Sequence, residues 1–499
     1  MTETVAQPVS VDPDRAESAR LEEAIRLLVP ALVAFNRFEG PDPAARRRAD
    51  WQSALDQPLP DAGAGLDGVL KALAETVIPN GLRNGAPGFT GWITTAPTTS
   101  GVAAGLAGTV AGSQRWWVQA FNLLESVGLR WLAELLEIPA GWQGTFTPGG
   151  STANLVGLGA ARQAAFERLG IDPARDGVQG VATRIYASSE VHHVVNRAAA
   201  VLGMGRRSLS PVAVDDACQI GVAELRMRLE ADRRAGVLPV AIVATAGTVN
   251  AGTIDPIGAL ADLAAEYETW LHVDGAYGLF GRLDDRISDR YEGLERADSV
   301  AVDPHKWLAT PLGIGAVFVR DRGALGRAFT LEPAEYLEGA AVDPGVELNS
   351  PFDSFGELFH DFNLDQSAPS RGVMVWAVLR EIGASGMRER VRRHRDFARH
   401  LADLVEADDR LELLAEPVLS VCCFRYRASG VDGAGLDDLN IEIARRLRAE
   451  TSLVPSTTRI GGKLAIRPCY INPRTTLVEV DGLARAVREL GDELTAADR

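Results

Sequence analysis

The chain has 499 residues, 46% hydrophobic and 24% charged, with a formal net charge of -16. That length allows two or three cores at roughly 150 residues each. The acidity opposes nucleic acid phosphates and anionic lipids over most of the surface, which excludes a DNA-binding or polybasic membrane role.

The first twenty residues, MTETVAQPVSVDPDRAESAR, are polar and acidic, without the apolar stretch that a secretory signal requires. The Gly/Ala-rich run from Gly101 to Gly112 is shorter than the about 20 residues that span a bilayer. A soluble, cytoplasmic protein is expected. Up to about Asn80 the chain reads as helices broken by polar connectors: LEEAIRLLVPALVAF has a helical apolar pattern and GPDPAARRRAD is a solvated break. This predicts an N-terminal helical segment over residues 1–85.

From about Thr147 to Arg320 the β-branched runs RIYAS, VAIVATAG, WLHVDGAY, SVAVD and GAVFVRD alternate with helical segments such as Leu155 to Leu169. That alternation predicts a mostly parallel α/β sheet covered by helices on both faces, within a large domain spanning 86–385. Polar residues at the carboxyl ends of such strands should face a ligand crevice, and Asp274 and Lys306 fall just after two of the runs. Past Ser385 an Arg-rich helix, the strand-like VLSVCCFRY and KLAIRPCYIN, and an amphipathic helix from Thr476 predict a small C-terminal α+β domain over 386–499. Cys218, Cys422, Cys423 and Cys469 show no CxxC or Cys/His spacing, so reduced thiols are expected and no metal site.

Four stretches carry chemistry. In FTPGGSTANLVGLGAAR, Gly149 and Gly150 let the backbone approach a ligand, while Ser151 or Thr152 and the first amides of a helix offer hydrogen bonds: a phosphate cradle, or a plain helix cap. It has neither the P-loop lysine nor the spacing of a dinucleotide fingerprint, so ATP and NAD are unsupported. In YASSEVHHVVNRAAAVLG, one of the adjacent His192 and His193 can stack on a planar ring, but not both. WLHVDGAYG ends a buried strand on Asp274, either a turn residue or a carboxylate awaiting a cation such as a pyridinium. SVAVDPHKWL contains Lys306, one of three lysines among 51 basic residues. A lysine, unlike an arginine, can shed its proton and form an imine. Together these four meet the needs of pyridoxal 5'-phosphate.

DPHKW with HVDGAYG resembles the group II pyridoxal-phosphate decarboxylases, which include aromatic-L-amino-acid and glutamate decarboxylases, most clearly over Pro87 to Gly386. The resemblance implies the pyridoxal-phosphate-dependent transferase fold, type I. Lys306 would then carry the cofactor, Asp274 would face the pyridine nitrogen, and His192, once Tyr186 and Arg197 are aligned, would stack on the ring. Gly150, Ser151, His305 and Ala276 would complete the cofactor site, and Tyr336 in EPAEYLEG would reprotonate the substrate carbon. Phe89, Trp92, Ile93, Thr95, Trp116, Trp117 and Phe121 match segments that line the substrate site, with Trp92 and Thr95 as candidate contacts; their apolar character favours an aromatic amino acid. A homodimer is implied, with N-terminal helices wrapped on the partner.

Several positions depart from the family pattern. Ala86-Pro87 replaces His-Pro, Val249 replaces a Thr, Asp303 stands where some relatives have Asn, and SAPSRGVMVW keeps Arg371 without its basic neighbours. Two other readings share the residues: transamination or oxygen-dependent deamination on the same scaffold, and a non-catalytic binding or regulatory protein.

Overall fold

The β-branched runs form strands in the computed structural model, which describes residues 13–38, 48–112, 119–330, 359–431 and 433–497. In chain order the strands are β1 (Phe89–Thr90), β2 (Gln143–Thr147), β3 (Thr183–Ser188), β4 (Leu209–Val212), β5 (Leu238–Thr245), β6 (Trp270–Asp274), β7 (Ser299–Val302), β8 (Gly315–Val319), β9 (Leu411–Ala415), β10 (Cys423–Tyr426), β11 (Val454–Ile460) and β12 (Lys463–Arg467). The chain divides into two compact units, Met1–Ala86 with Ala449–Ser452, and Pro87–Arg448 with Leu453–Arg499.

The large sheet of the second unit has the order β2-β8-β7-β6-β5-β3-β4. Strands β3 to β7 pair in parallel, whereas β8 runs against both β7 and β2. Only β8 is therefore reversed, and the sheet is mostly parallel with flanking helices, as fold type I requires. Both faces are covered: Ile242, Ala244, Leu271, Val273, Val300 and Val302 belong to one core, and Ala241, Val243 and Ala301 to the other. A period of two with apolar residues at every step is the pattern of a strand buried on both faces. Helix Gly150–Glu167 brings Ala153, Val156 and Ala160 onto the second face. At Gly157 it lies so close that a Cβ would fall 2.7 Å from His272 Cε1. The helix expected from Leu155 starts five residues earlier, at Gly150, because its first turn is glycine and hydroxyl residues rather than apolar ones.

Thr245 pairs with Asp274, Asp274 with Ala301, and Thr147 with Gly315, so the carboxyl ends of β2, β5, β6 and β7 share one edge with the start of β8. That edge is where the polar strand-end residues collect.

A five-stranded sheet, β1-β11-β12-β10-β9, has its own core of Phe397, Leu401, Phe424, Ile466, Val480 and Val487. Its edge strand β1 precedes the large sheet in the chain and pairs in parallel with β11 through Phe89–Val454 and Thr90–Pro455. Helix Gly372–Glu406 is interrupted at Gly383, whose φ of 65° and ψ of 175° are not helical. In the first unit, helices Pro13–Phe35, Arg48–Leu55 and Gly65–Ala72 lead through a wider π-helical turn, Leu73–Val77, to a tighter 3-10 turn, Ile78–Asn80. Among the described residues no helix is long and apolar enough to cross a membrane.

Candidate active site

Lys306 follows β7 in a turn held by hydrogen bonds from its own amide to Asp303 O (3.0 Å) and from the Ala309 amide to Lys306 O (3.2 Å). The next side chain fixes that turn in the core. Trp307 is fully buried, stacks on Tyr277 at 5.2 Å and donates its indole N–H to His394 Nδ1 at 3.0 Å. Lys306 itself stays at the surface of a cavity, with Nζ 2.9 Å from Asp303 Oδ2.

The cavity has a volume of about 470 Å³, and Lys306, Asp274, Ala276, His192, Gly150, Ser151 and His305 all line it. The strand ends thus bring together seven of the site residues expected from sequence. Trp92 and Thr95 are placed differently: Trp92 is 61% exposed, Thr95 is buried, and neither lines this cavity, although Ile93 between them does. Tyr336, Trp116 and Trp117 lie outside the described residues.

Asp274 is 5% exposed at the end of β6, and its Oδ1 accepts the Ala276 amide at 3.1 Å. His192 Nδ1 accepts the Val194 amide at 3.2 Å, which leaves the hydrogen of a neutral ring on Nε2. Burial pushes His192 below its ordinary pKa, outweighing the Asp274 charge that favours the proton; His193 and Lys306 lower it further. His192 is therefore the neutral tautomer at neutral pH. His305 donates from Nδ1 to Ile314 O at 2.6 Å and stands against Gly149.

Helix Gly150–Glu167 opens at this edge after Gly149, whose φ of +133° suits glycine. Its first amides are those a helix leaves without an internal acceptor. A Cβ at Gly150 would lie 2.5 Å from Asp303 Oδ2, so an uncluttered backbone is required there.

A buried chain of hydrogen bonds not anticipated from sequence sets the height of this helix start. Asn154 donates from Nδ2 to Gly150 O (2.8 Å), so its Oδ1 accepts from His272 Nε2 (2.8 Å). His272 Nδ1 then takes the Ser299 hydroxyl hydrogen (2.8 Å), and Ser299 Oγ accepts the Trp270 indole N–H (2.7 Å). Burial pushes His272 down to about 4, keeping it neutral. These partners are up to 118 residues apart, and no local pattern announces them.

These residues fit pyridoxal phosphate. Asp274 is a buried carboxylate in a cavity wall, with a backbone amide on one oxygen and room for a ring N–H. Thr245 Oγ1, also lining the cavity, is buried without a hydrogen-bond partner. A lone buried carboxylate and orphaned hydroxyl are costly unless a ligand completes them. Such a scaffold, with a lysine amine opposite a carboxylate and beside a helix start, defines the class of pyridoxal-phosphate enzymes of fold type I.

The pyridoxal-dependent decarboxylase conserved domain matches residues 50–427. The chain belongs to that family and is an amino-acid carboxy-lyase with pyridoxal phosphate as its cofactor. It is 31% identical to the aromatic-L-amino-acid decarboxylase of Bacillus atrophaeus over 377 residues, 74% of each chain. It is 29% identical to the L-2,4-diaminobutyrate decarboxylase of Rhizobium meliloti over 441 residues, 88% of this chain and 84% of the relative. The solved structure of Oryza sativa TDC with PLP and tryptamine superposes with a TM-score of 0.85 at 26% identity, covering 98% of this chain and all of that one.

Proposed function

We propose that this chain decarboxylates an aromatic L-amino acid to its amine, with Lys306, Asp274, His192 and Tyr336 as the catalytic groups. The observation that carries the assignment of roles is that Lys306, Asp274 and His192 line one cavity at the carboxyl ends of the central strands. Lys306 would hold the cofactor's aldehyde carbon, Asp274 its ring nitrogen, His192 its ring face, and Gly150, Ser151, His305 and Ala276 its phosphate side and edge. When bound, pyridoxal phosphate supplies a conjugated acceptor for the electron pair left when the carboxyl group departs.

The protein's own part is orientation and proton control. Lys306 would supply the amine that holds the cofactor and a base close to the reacting carbon. Asp274 would set its carboxylate against the ring nitrogen, where positive charge must persist. Neutral His192 presents Nε2–H toward the substrate carboxylate without adding a second cation beside Lys306. Tyr336 donates the proton that the substrate carbon takes after carbon dioxide leaves.

The aromatic preference is supported by the apolar wall of Ile93, Val249 and Leu312 and by the matched aromatic decarboxylase. The match to a diaminobutyrate decarboxylase makes an amino-acid panel the test. With added cofactor, one or more aromatic amino acids should give stoichiometric carbon dioxide and amine. A keto acid, or an aldehyde with ammonia, as the main product would overturn the reaction; best turnover of an acidic or short aliphatic amino acid would overturn only the substrate.

The same reading includes a cytoplasmic homodimer and a small domain from residue 386, close to the helix break at Gly383. The exposed Leu21, Ile25, Leu32 and Val33 of helix Pro13–Phe35 support cover by a second copy. Light scattering should give twice the 53.3 kDa chain mass; a monomer mass would reject the dimer.

A further inference from the structure

Strand β12 ends on Arg467, which is 2% exposed and does not line the cavity. The acceptors of its guanidinium among the described residues are all backbone carbonyls: Trp92 O at 2.8 Å, Asn250 O at 3.3 Å, and Val249 O. A buried cation is tolerated only where dipoles converge on it, so these carbonyls and Arg467 hold one another in place. Trp92 shows the force of the grip. Its φ is +52°, a left-handed conformation that a bulky L residue adopts only under restraint. Its peptide is gripped on both sides, the N–H by Ser456 Oγ and the C=O by Arg467.

Asn250 extends the grip. It accepts the Thr458 hydroxyl at 2.6 Å and donates to Glu190 at 2.6 Å, two residues before His192. Side chains of β11 and β12 therefore tie together the segments that present Ile93, Val249 and His192 to the cavity. Lys306, Asp274 and Gly150 stand on other elements, the turn after β7, the end of β6 and the start of helix Gly150–Glu167, and none of them is a partner of Arg467.

We propose that Arg467 is a positioning residue for substrate selectivity: it sets the spacing of Ile93 and Val249, and so decides which amino-acid side chain the cavity takes, while leaving Lys306, Asp274 and Gly150 where they stand. The inference rests on the decarboxylase reading above. Lysine at 467 keeps the charge but has one nitrogen, which cannot span three carbonyls; methionine keeps much of the stem and removes the charge.

The test compares the full-length protein with its R467K, R467M and S456A variants. Pyridoxal phosphate affinity is measured by absorbance titration, and kcat and KM are measured for the best and the poorest accepted amino acids of the panel. Both Arg467 variants should bind the cofactor within about threefold of the parent while raising KM for the best substrate about tenfold and shrinking the ratio of the two kcat/KM values about tenfold. R467K should not rescue the ratio. S456A, which removes only the acceptor for the Trp92 amide, should shift the ratio in the same direction by less, and it decides the matter if the arginine variants do not fold. An unchanged ratio, or cofactor affinity that falls in step with KM, overturns the proposal. A parent protein that releases no carbon dioxide from any amino acid overturns the decarboxylase reading, and this inference with it.

Discussion

Asp303 is where charge is most finely placed around Lys306. Its carboxylate pairs with the lysine on one side and crowds the start of helix Gly150–Glu167 on the other, where the proposed site would place the cofactor phosphate. A negative charge at a helix start is favourable by itself but competes with a phosphate for the same amides. Asp303→Asn should therefore tighten pyridoxal phosphate binding by about 1 kcal/mol, roughly fivefold, in an absorbance titration. Weaker binding would mean that the carboxylate holds the lysine in place more than it opposes the phosphate. Asp274→Asn tests the other charge: at saturating cofactor kcat should fall by about 10²–10³, as for loss of an electrostatic group aimed at the reacting centre. An equal kcat would remove Asp274 from the chemistry.

At this scale the sequence was most readable where chemistry and position coincide. Lys306, Asp274 and Gly150 each sit at a strand end or helix start, and strand ends can be read from apolar runs. Trp92 and Thr95 could not be placed that way, because a segment of short strand and turn does not tell which of its side chains faces inward. Arg467 was invisible as a functional residue, since its partners lie 375, 217 and 218 positions away.

The elements follow the same logic. β5, β6 and β7 were legible because a strand buried on both faces is an apolar run. β4 was not, because Pro211 interrupts it; the sheet tolerates a proline there because β4 is an edge strand that pairs only with β3. Helix Gly150–Glu167 depends on the Asn154–His272–Ser299 chain beneath it, which carries a pH signature. His272 is held near 4 against an ordinary 6.5, so between those values the unfolded chain binds more protons and stability falls as pH falls. The loss is about 3 kcal/mol, and the contribution is fully present above pH 6.5. Asp255 acts oppositely: burial raises it from 3.8 to about 6, so its share of stability is lost as pH rises through 6. The two nearly cancel in the parent between pH 4 and 6. Comparison with His272→Gln unmasks one of them. The parent's advantage in urea unfolding should shrink by about 3 kcal/mol from pH 7 to pH 4, whereas a constant difference would contradict the buried neutral imidazole.

For the whole molecule, cofactor and fold are coupled. The cavity is walled by six strand ends or the turns after them and by a helix start, so pyridoxal phosphate should bind only the folded chain. At 100 times its dissociation constant it should then add about 2.7 kcal/mol of stability and raise the melting temperature with concentration. A midpoint indifferent to cofactor would separate binding from the folded cavity.

The central claim is a covalent bond at one amine, and the chain's composition makes it unusually easy to check, since Lys71 and Lys463 are the only other lysine side chains. Protein incubated with pyridoxal phosphate, reduced with borohydride and digested should yield a phosphopyridoxyl group on the peptide containing Lys306. Label confined to Lys71 or Lys463, or no label on any lysine, would contradict the account.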